Sequence, residues 1–384
     1  MQTVCPIELC TGCMACLNCC THNAIHIFSD VCGFRYPYVV ADLCVNCKLC
    51  EQVCPVNHQQ EKRPPKFCYA VTIRGKDILT CASGGAATAL STFVLEKGGI
   101  VYGCSGRNML HISHIRIADI RDLPLLKGSK YVQSEIGLIY RKVKEDLKQN
   151  ILVLFIGTPC QIAGLKGFLK KDYHTLITAD IVCHGVPSQR LLNDNIQYYQ
   201  NKHNNRVELN NIRFRIINDN TDTKSLKIDY GFYFSLKDSS LSKNVDDEHS
   251  YDPYVWGFLK GLFLRRSCYV CSYACPSRVG DFTFADFWGI GDDTILEINN
   301  GVSLVLLNTE KAQLFFNEIK PKINFERRLV KEAIMGNGRL QAPTYCHKRY
   351  HLFRMLYPKC GLRFSVKVCL IRDFVKDKIK KSLK

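Results

Sequence analysis

Apolar positions along the 384-residue chain change rhythm near residue 67. Before it they come in short runs: "AIHIFSDVCGFRYPYVV" (24–40) predicts brief strands joined by a turn. After it the pattern alternates between strand and helix. "CYAVTIRG" (68–75) predicts a strand, "SGGAATALSTFVLEKG" (83–98) a helix and "GIVYGCSG" (99–106) a strand. "NILVLFIG" (150–157) predicts a buried strand, and "TPCQIAGLKGFL" (158–169) follows with a helical tail. "YHTLITADIVC" (173–183) is a further strand running into "HGVPS". Strands alternating with helices predict an α/β core with a mostly parallel sheet, in which ligands gather at the carboxyl ends of strands.

Between the two regimes "HQQEKRPPK", His58–Lys66, is polar and proline-rich and predicts a linker, centred on 61–66. The expected organisation is therefore a module over 1–60, that linker, a first core segment over 67–150, a second over 151–345 and a tail over 346–384. The polar stretch Asn201–Ser250 predicts a lid or an edge hairpin. The tail places Phe364, Val368, Ile371 and Val375 on one helical stripe among lysines. Such a stripe docks on its own domain or lies on an anionic membrane.

Composition narrows the class. Hydrophobic residues make up 46% and charged residues 23%, as in soluble globular proteins. The longest apolar stretch, "ILVLFIG" (151–157), is too short to span a bilayer, and "MQTVCPIELC" lacks a secretory pattern. The chain is expected in the cytoplasm, with at most peripheral contact at the inner membrane face. A formal net charge of +17 suits acidic partners such as flavin phosphates or a small acidic electron carrier of the ferredoxin type. No nucleic-acid-binding signature accompanies it, so a cluster-bearing nucleic-acid binder is the weakest alternative.

Twenty-two cysteines change the picture most. A disulfide scaffold belongs to short secreted chains, which this is not. Cys10, Cys13, Cys16 and Cys20 follow C-x2-C-x2-C-x3-C, and Cys44, Cys47, Cys50 and Cys54 repeat it before Pro55. That is the two-cluster ferredoxin pattern, in which each fourth cysteine ligates the other cube. Cys10, Cys13, Cys16 and Cys54 are expected to hold one 4Fe–4S cluster, and Cys44, Cys47, Cys50 and Cys20 the second. Cys19 is a spare thiol that breaks the spacing. The module is expected to be α+β and ferredoxin-like.

Three short motifs sit where core strands end. "SGG", Ser83–Gly85, opens a helix and lets backbone N–H groups approach an anion. "GTPCQ", Gly157–Gln161, displays Cys160. "CHG", Cys183–Gly185, brings His184, a packing residue or a proton donor. "GSKYVQS", Gly128–Ser134, adds Lys130.

In this order "SGGAATAL", "GSKYVQS", "GTPCQIAGLK", "CHGVPS" and "CYVC…RVGDFTFADFWG" resemble the deazaflavin (coenzyme F-420) hydrogenase/dehydrogenase beta-subunit family. The resemblance implies FAD near Ser83, Gly84, Gly85 and the Lys130 loop, with Thr158 and Gln161 as further cofactor-binding positions. It implies catalytic roles for His184 and Lys130, and a third cluster among the later cysteines. Cys160 and Cys183 each follow a buried strand, and Cys268 and Cys271 form a CxxC. These four are the expected ligands, with Cys275 as competitor and a zinc site or redox dithiol as the alternative chemistry. The expected function is an iron–sulfur flavoprotein oxidoreductase passing electrons between clusters, FAD and an unidentified organic or deazaflavin substrate. Its main rival is a non-catalytic electron-transfer subunit.

Overall fold

The computed structural model describes residues 2–217, 228–237, 252–291 and 293–382. The N-terminal module folds as β1 (Gln2–Thr3), α1 (Ala15–Cys19), β2 (Ile25–Ser29), β3 (Arg35–Val39) and α2 (Leu49–Gln52). Its strands form an antiparallel sheet in the order β1-β3-β2. The predicted linker is tied down: Arg63 makes a β-bridge with Arg278, and Lys62 donates to the Ser272 carbonyl.

The core runs β4 (Phe67–Ile73), α3 (Ala86–Glu96), β5 (Ile100–Ser105), β6 (Ser113–Ile117), α4 (Ile139–Lys148), β7 (Val153–Gly157), α5 (Pro159–Leu169) and β8 (Leu176–Ile181). It continues with α6 (Gln189–Lys202), β9 (Arg213–Ile217), β10 (Ile228–Tyr233), α7 (Pro253–Leu259), β11 (Phe282–Asp286) and β12 (Ser303–Leu307). Last come α8 (Glu310–Ile319), β13 (Ile323–Arg328), α9 (Val330–Gly336) and α10 (Tyr350–Ser382). Eight strands form one sheet in the order β13-β4-β12-β11-β8-β7-β5-β6.

Parallel pairing is confined to the centre, where β11, β8, β7 and β5 run together. Both edges are antiparallel, so the sheet is mixed rather than mostly parallel. The expected division at 150/151 does not separate two structural units. β4, from the first segment, lies between β12 and β13 of the second, and its backbone groups are paired on both sides. A boundary there would leave a sheet with unsatisfied central hydrogen bonds.

Leu154, Ile177, Phe282 and Val305 face the α3 and α8 side of the sheet, while Val153, Phe155 and Tyr102 face α4 and α5. β9 and β10 pair antiparallel as a separate two-stranded sheet, not at an edge of the eight-stranded one; residues 218–227 and 238–250 of the stretch expected to form a lid or an edge hairpin lie outside the described residues. α10 breaks at Gly361, where φ is 70°. Its packed face is Leu362, Val366, Cys369 and Leu370, not the predicted stripe. Phe364, Ile371 and Val375 are 54%, 58% and 50% exposed, because the segment after the break carries two apolar faces and the one through Leu362, Val366 and Leu370 is the one that docks.

Candidate functional site

The two cysteine loops share a backbone shape. The residues flanking the middle cysteine of each triplet have positive φ: Gly12 (69°) and Met14 (61°) in the first, Asn46 (54°) and Lys48 (58°) in the second. Left-handed residues at these points curl the chain so that successive N–H groups line a concave nest, the environment a negatively charged cluster needs. Holding Met and Lys there costs on the order of 1 kcal/mol each. That strain repeats at matched positions, so both loops answer the same demand.

Cys13 and Cys16 are buried against one another and feel Cys10 and Cys54. Burial pushes the Cys13 thiol up to about 12 and that of Cys16 well above its ordinary value. Cys5 joins this group unannounced by the spacing. Its thiol hydrogen-bonds to Cys10 and Cys54, drawing them down to about 6 and about 7 while its own pKa rises. Cys50 feels Cys44, and the thiols acting on Cys19 are Cys50, Cys20 and Cys47. Cys20 Sγ accepts the Ala24 amide at 3.3 Å, whereas Cys19 Sγ donates to the Cys16 carbonyl. Cys19 thus feels the second triplet, while its neighbour Cys20 carries the backbone amide contact.

α5 brings the module to the core. Thr158 and Gln161 form a capping box at its start, with Pro159 in the first turn. On its outer face Gly164 meets Cys13, and Gly167 would place a Cβ 2.5 Å from the Val53 carbonyl oxygen. These two glycines let both cluster loops sit directly on the helix.

Where the strands end, a cavity of about 620 Å³ opens, within the range of cofactor sites. Cys160, Cys183, Cys268 and Cys271 all line it. Cys160, Cys268 and Cys271 act electrostatically on Cys183, and Cys271 on Cys160 and Cys268, while the thiol acting on Cys271 is Cys275. Burial raises Cys160 to about 11 and Cys268 to about 12, with Cys183 and Cys271 also raised. Cys275 lies outside that lining and donates its thiol to the Ser272 and Ser277 carbonyls. Among the described residues no group of three or more His, Cys, Asp or Glu is tight enough for one metal ion. A 4Fe–4S cube instead takes one thiolate at each of four corners, which stand farther apart than the ligands of a single ion.

A buried ion pair holds the CxxC loop in place. Arg278 meets Asp180 at 2.8 Å, both under 2% exposed, and also donates to the Tyr273, Cys275 and Ile181 carbonyls. Asp180 in turn accepts from the Gly280 amide and the Thr283 hydroxyl. This anchoring role of "RVGDFTF" was not read from the sequence, since it is legible only once β8 and β11 pair.

The remaining expected residues fall into two groups. Gly85 caps α3 with φ 83° and has no side chain to offer; the Ala86 amide is taken by Ser303 Oγ at 3.3 Å, and Ala87 and Thr88 of the first turn line the cavity beside Ser83. Gly84 is a packing requirement: a Cβ would lie 2.1 Å from the Val71 carbonyl oxygen. Lys130 Nζ lines the cavity and staples its own loop by donating to the Leu126 and Lys127 carbonyls at 2.8 Å. Thr158 lines the wall. The Gln161 side chain is spent on the Thr158 amide and the Ser134 carbonyl, so it positions that wall and has little left to offer a ligand. His184 reaches the Phe258 carbonyl through Nε2 at 3.1 Å and packs on the Phe258 ring, and burial lowers its pKa. That geometry is the packing arrangement, with the proton-carrying nitrogen already engaged.

Residues 151–332 match the family described as the C-terminal part of the beta subunit of coenzyme F420 hydrogenase/dehydrogenase. Over that stretch the chain is similar to that beta-subunit family. Residues 9–58 match a 4Fe–4S dicluster domain, so the chain is an iron–sulfur protein of electron transfer. It is similar over 72% of its length to 91% of a chain in the F420-reducing NiFe hydrogenase complex from Methanosarcina barkeri, with 17% identity and a TM-score of 0.46. No curated protein matches it. For the dicluster domain the donor set fits: two triplets in matched nests, each with a further thiol at hand. For a third cube the four cavity thiols supply the donors, and for a flavin the same cavity supplies a glycine-capped helix start.

Proposed function

We propose that the protein is an iron–sulfur flavoprotein oxidoreductase in which electrons pass between the dicluster domain, a third 4Fe–4S cluster on Cys160, Cys183, Cys268 and Cys271, and FAD in the adjoining cavity. One observation carries this reading: the four thiols and the glycine-capped start of α3 line the same cavity, while Cys13 packs on the helix that bears Cys160. Bound flavin would supply the change from single electrons to pairs. The chain's own contribution is placement. The first turn of α3 would hold a phosphate, Tyr131 and Phe258 stack at 4.7 Å to form an apolar wall, and the β9–β10 hairpin is clamped over the site by Arg215 on Asp286.

Electron entry is favoured at the second triplet. Cys47 is exposed, and Leu43, Val45 and Leu49 around it are exposed too, beside Lys48. A small carrier of the ferredoxin type would meet there an apolar patch that carries Lys48. The family name is that of a subunit, so a partner polypeptide is expected as well. The exposed face of α10 at Phe364, Ile371 and Val375 is the surface for peripheral contact with an anionic membrane. No helix among the described residues is long and apolar enough to cross one.

Anaerobic purification with iron, sulfide and flavin analysis tests the reading. Bound FAD with cluster absorbance supports it, and reconstituted protein without FAD overturns it. The rival, an electron-transfer subunit without its own substrate, would hold the same clusters and flavin but turn over only with a partner polypeptide present.

A further inference from the structure

Two arginines line the cavity, Arg215 and Arg339, and their electrostatic situations differ. Arg215 is neutralised by Asp286 through contacts of 2.5 and 3.1 Å and also donates to the Ala82 carbonyl. Arg339 sits in the Gly338–Leu340 turn after α9, and its Nη1 is shielded from solvent with no hydrogen-bond partner among the described residues. Asp286, the one carboxylate of the cavity lining among the described residues, is committed to Arg215. Burial is the one influence on Arg339, and it lowers the pKa, the mark of a cation removed from water without a counter-charge.

The turn that carries it is fixed. A Cβ at Gly336 would fall 1.7 Å from the Trp288 carbonyl oxygen, so the turn is pressed against the end of the β11 segment. His184 feels the Arg339 charge, and Thr344 donates to the His184 carbonyl, which closes this part of the wall. Arg339, His184, Trp288 and Thr344 thus share one region of the cavity lining. The α3 start reserved for a flavin phosphate borders Ser303 and Ala82 instead. Compensation of the cavity thiols is already provided, since the cations acting on them are Arg265, on Cys160 and Cys268, and Arg278, on Cys271.

We propose that Arg339 anchors an anionic group, a carboxylate or a phosphate, of the small molecule that exchanges electrons in this cavity. The assignment deepens the flavoprotein reading and rests on it for the ligand's role as a redox substrate, not for the anion site. A planar guanidinium with free N–H groups matches either anion in a two-pronged contact that lysine cannot reproduce.

The test uses full-length, anaerobically reconstituted protein, with inorganic phosphate and succinate as probes in calorimetric titrations and FAD affinity measured in parallel. At least one probe binds the wild type, and Arg339→Gln weakens it about tenfold, with Arg339→Lys between the two. FAD affinity stays within about twofold in all three, with iron content unchanged. The probe that responds distinguishes carboxylate from phosphate. Probe binding that is absent from the wild type, or indifferent to Arg339→Gln, overturns the proposal. So does a parallel loss of FAD, which would move Arg339 onto the cofactor. Arg339-dependent probe binding in protein that takes up no FAD would sink the flavoprotein reading and leave the anion site standing.

Discussion

Cys13 rests directly on Gly164 of α5: a Cβ at that glycine would lie 2.8 Å from the Cys13 Cβ and 2.9 Å from its sulfur. Cys160 lies four residues earlier on the same helix, roughly 6 Å along its axis. Tyr140 and Tyr273 both feel Cys13 and Cys160, so the two rings stand between the first cluster loop and the cavity thiols. α5 is therefore the joint through which the N-terminal module and the cavity are held at a fixed spacing.

Gly164→Val should force that joint apart. Overpacking a buried contact of this kind costs about 1–3 kcal/mol, read as a lower midpoint in denaturant. Because the cysteines are untouched, iron content should stay at the wild-type level while flavin reduction by dithionite in stopped-flow slows. A variant with unchanged stability and rate would show that the contact is slack.

The cluster assignment is tested by counting iron. Three cubes correspond to about twelve irons per chain, and the dicluster domain alone to about eight. Cys160→Ser or Cys183→Ser should remove about four, and Cys275→Ser none. Within the first repeat, Cys20→Ser should cost a cube and Cys19→Ser should not, because Cys20 holds the Ala24 amide contact. Zinc with eight irons in the wild type would end the case for a third cube.

What was legible in the sequence was whatever is local. The cysteine spacing named the two triplets, and the apolar runs located β4, α3, β5, β7, α5 and β8. The insertion of β4 between β12 and β13 was not legible, since a strand's partners more than two hundred residues away leave no mark on its own pattern. The stripe on α10 misled because the segment carries a second apolar face through Leu362, Val366 and Leu370, and periodicity alone does not say which of two faces docks. Cys5, Arg265 and Arg339 were missed for one reason: each is a single residue without a motif, given meaning only by what the fold sets beside it.

His114 ties stability to pH. It lines the cavity, stacks on Phe155 at 5.2 Å, and is bonded through Nδ1 to Ser134 Oγ and through Nε2 to the Ile156 carbonyl. Burial holds its pKa down at about 4, against 6.5 in an unfolded chain. Between those values the unfolded chain binds the extra proton, so stability is full above pH 6.5 and is lost as pH falls towards 4. The loss is on the order of 2–3 kcal/mol. His114→Gln should be less stable than wild type at pH 7.5, with the gap narrowing as the pH is lowered. Parallel stability curves for the two proteins would remove His114 as the cause.

Arg265 supplies the charge that the clusters lack. It is 1% exposed, donates to Gln133 Oε1, the Cys10 carbonyl and the Arg35 carbonyl, and lies over Tyr36 at 4.6 Å. None of these partners is a carboxylate. Its field acts instead on thiols of both groups, lowering Cys10 on one side and Cys160 and Cys268 on the other. A reduced cluster carries one more negative charge than an oxidised one, so a fixed cation nearby favours the reduced form and raises the potential. Arg265→Gln should shift at least one cluster midpoint to more negative values, by roughly 60 mV if the charge is worth a factor of ten in the equilibrium. Arg265→Lys keeps the charge but not the planar fork, so its potential should stay near wild type while its stability falls. Redox titration followed by electron paramagnetic resonance separates these outcomes. Potentials that do not move in Arg265→Gln, with the protein still folded and fully loaded with iron, would leave Arg265 as a structural tie between module and core and nothing more.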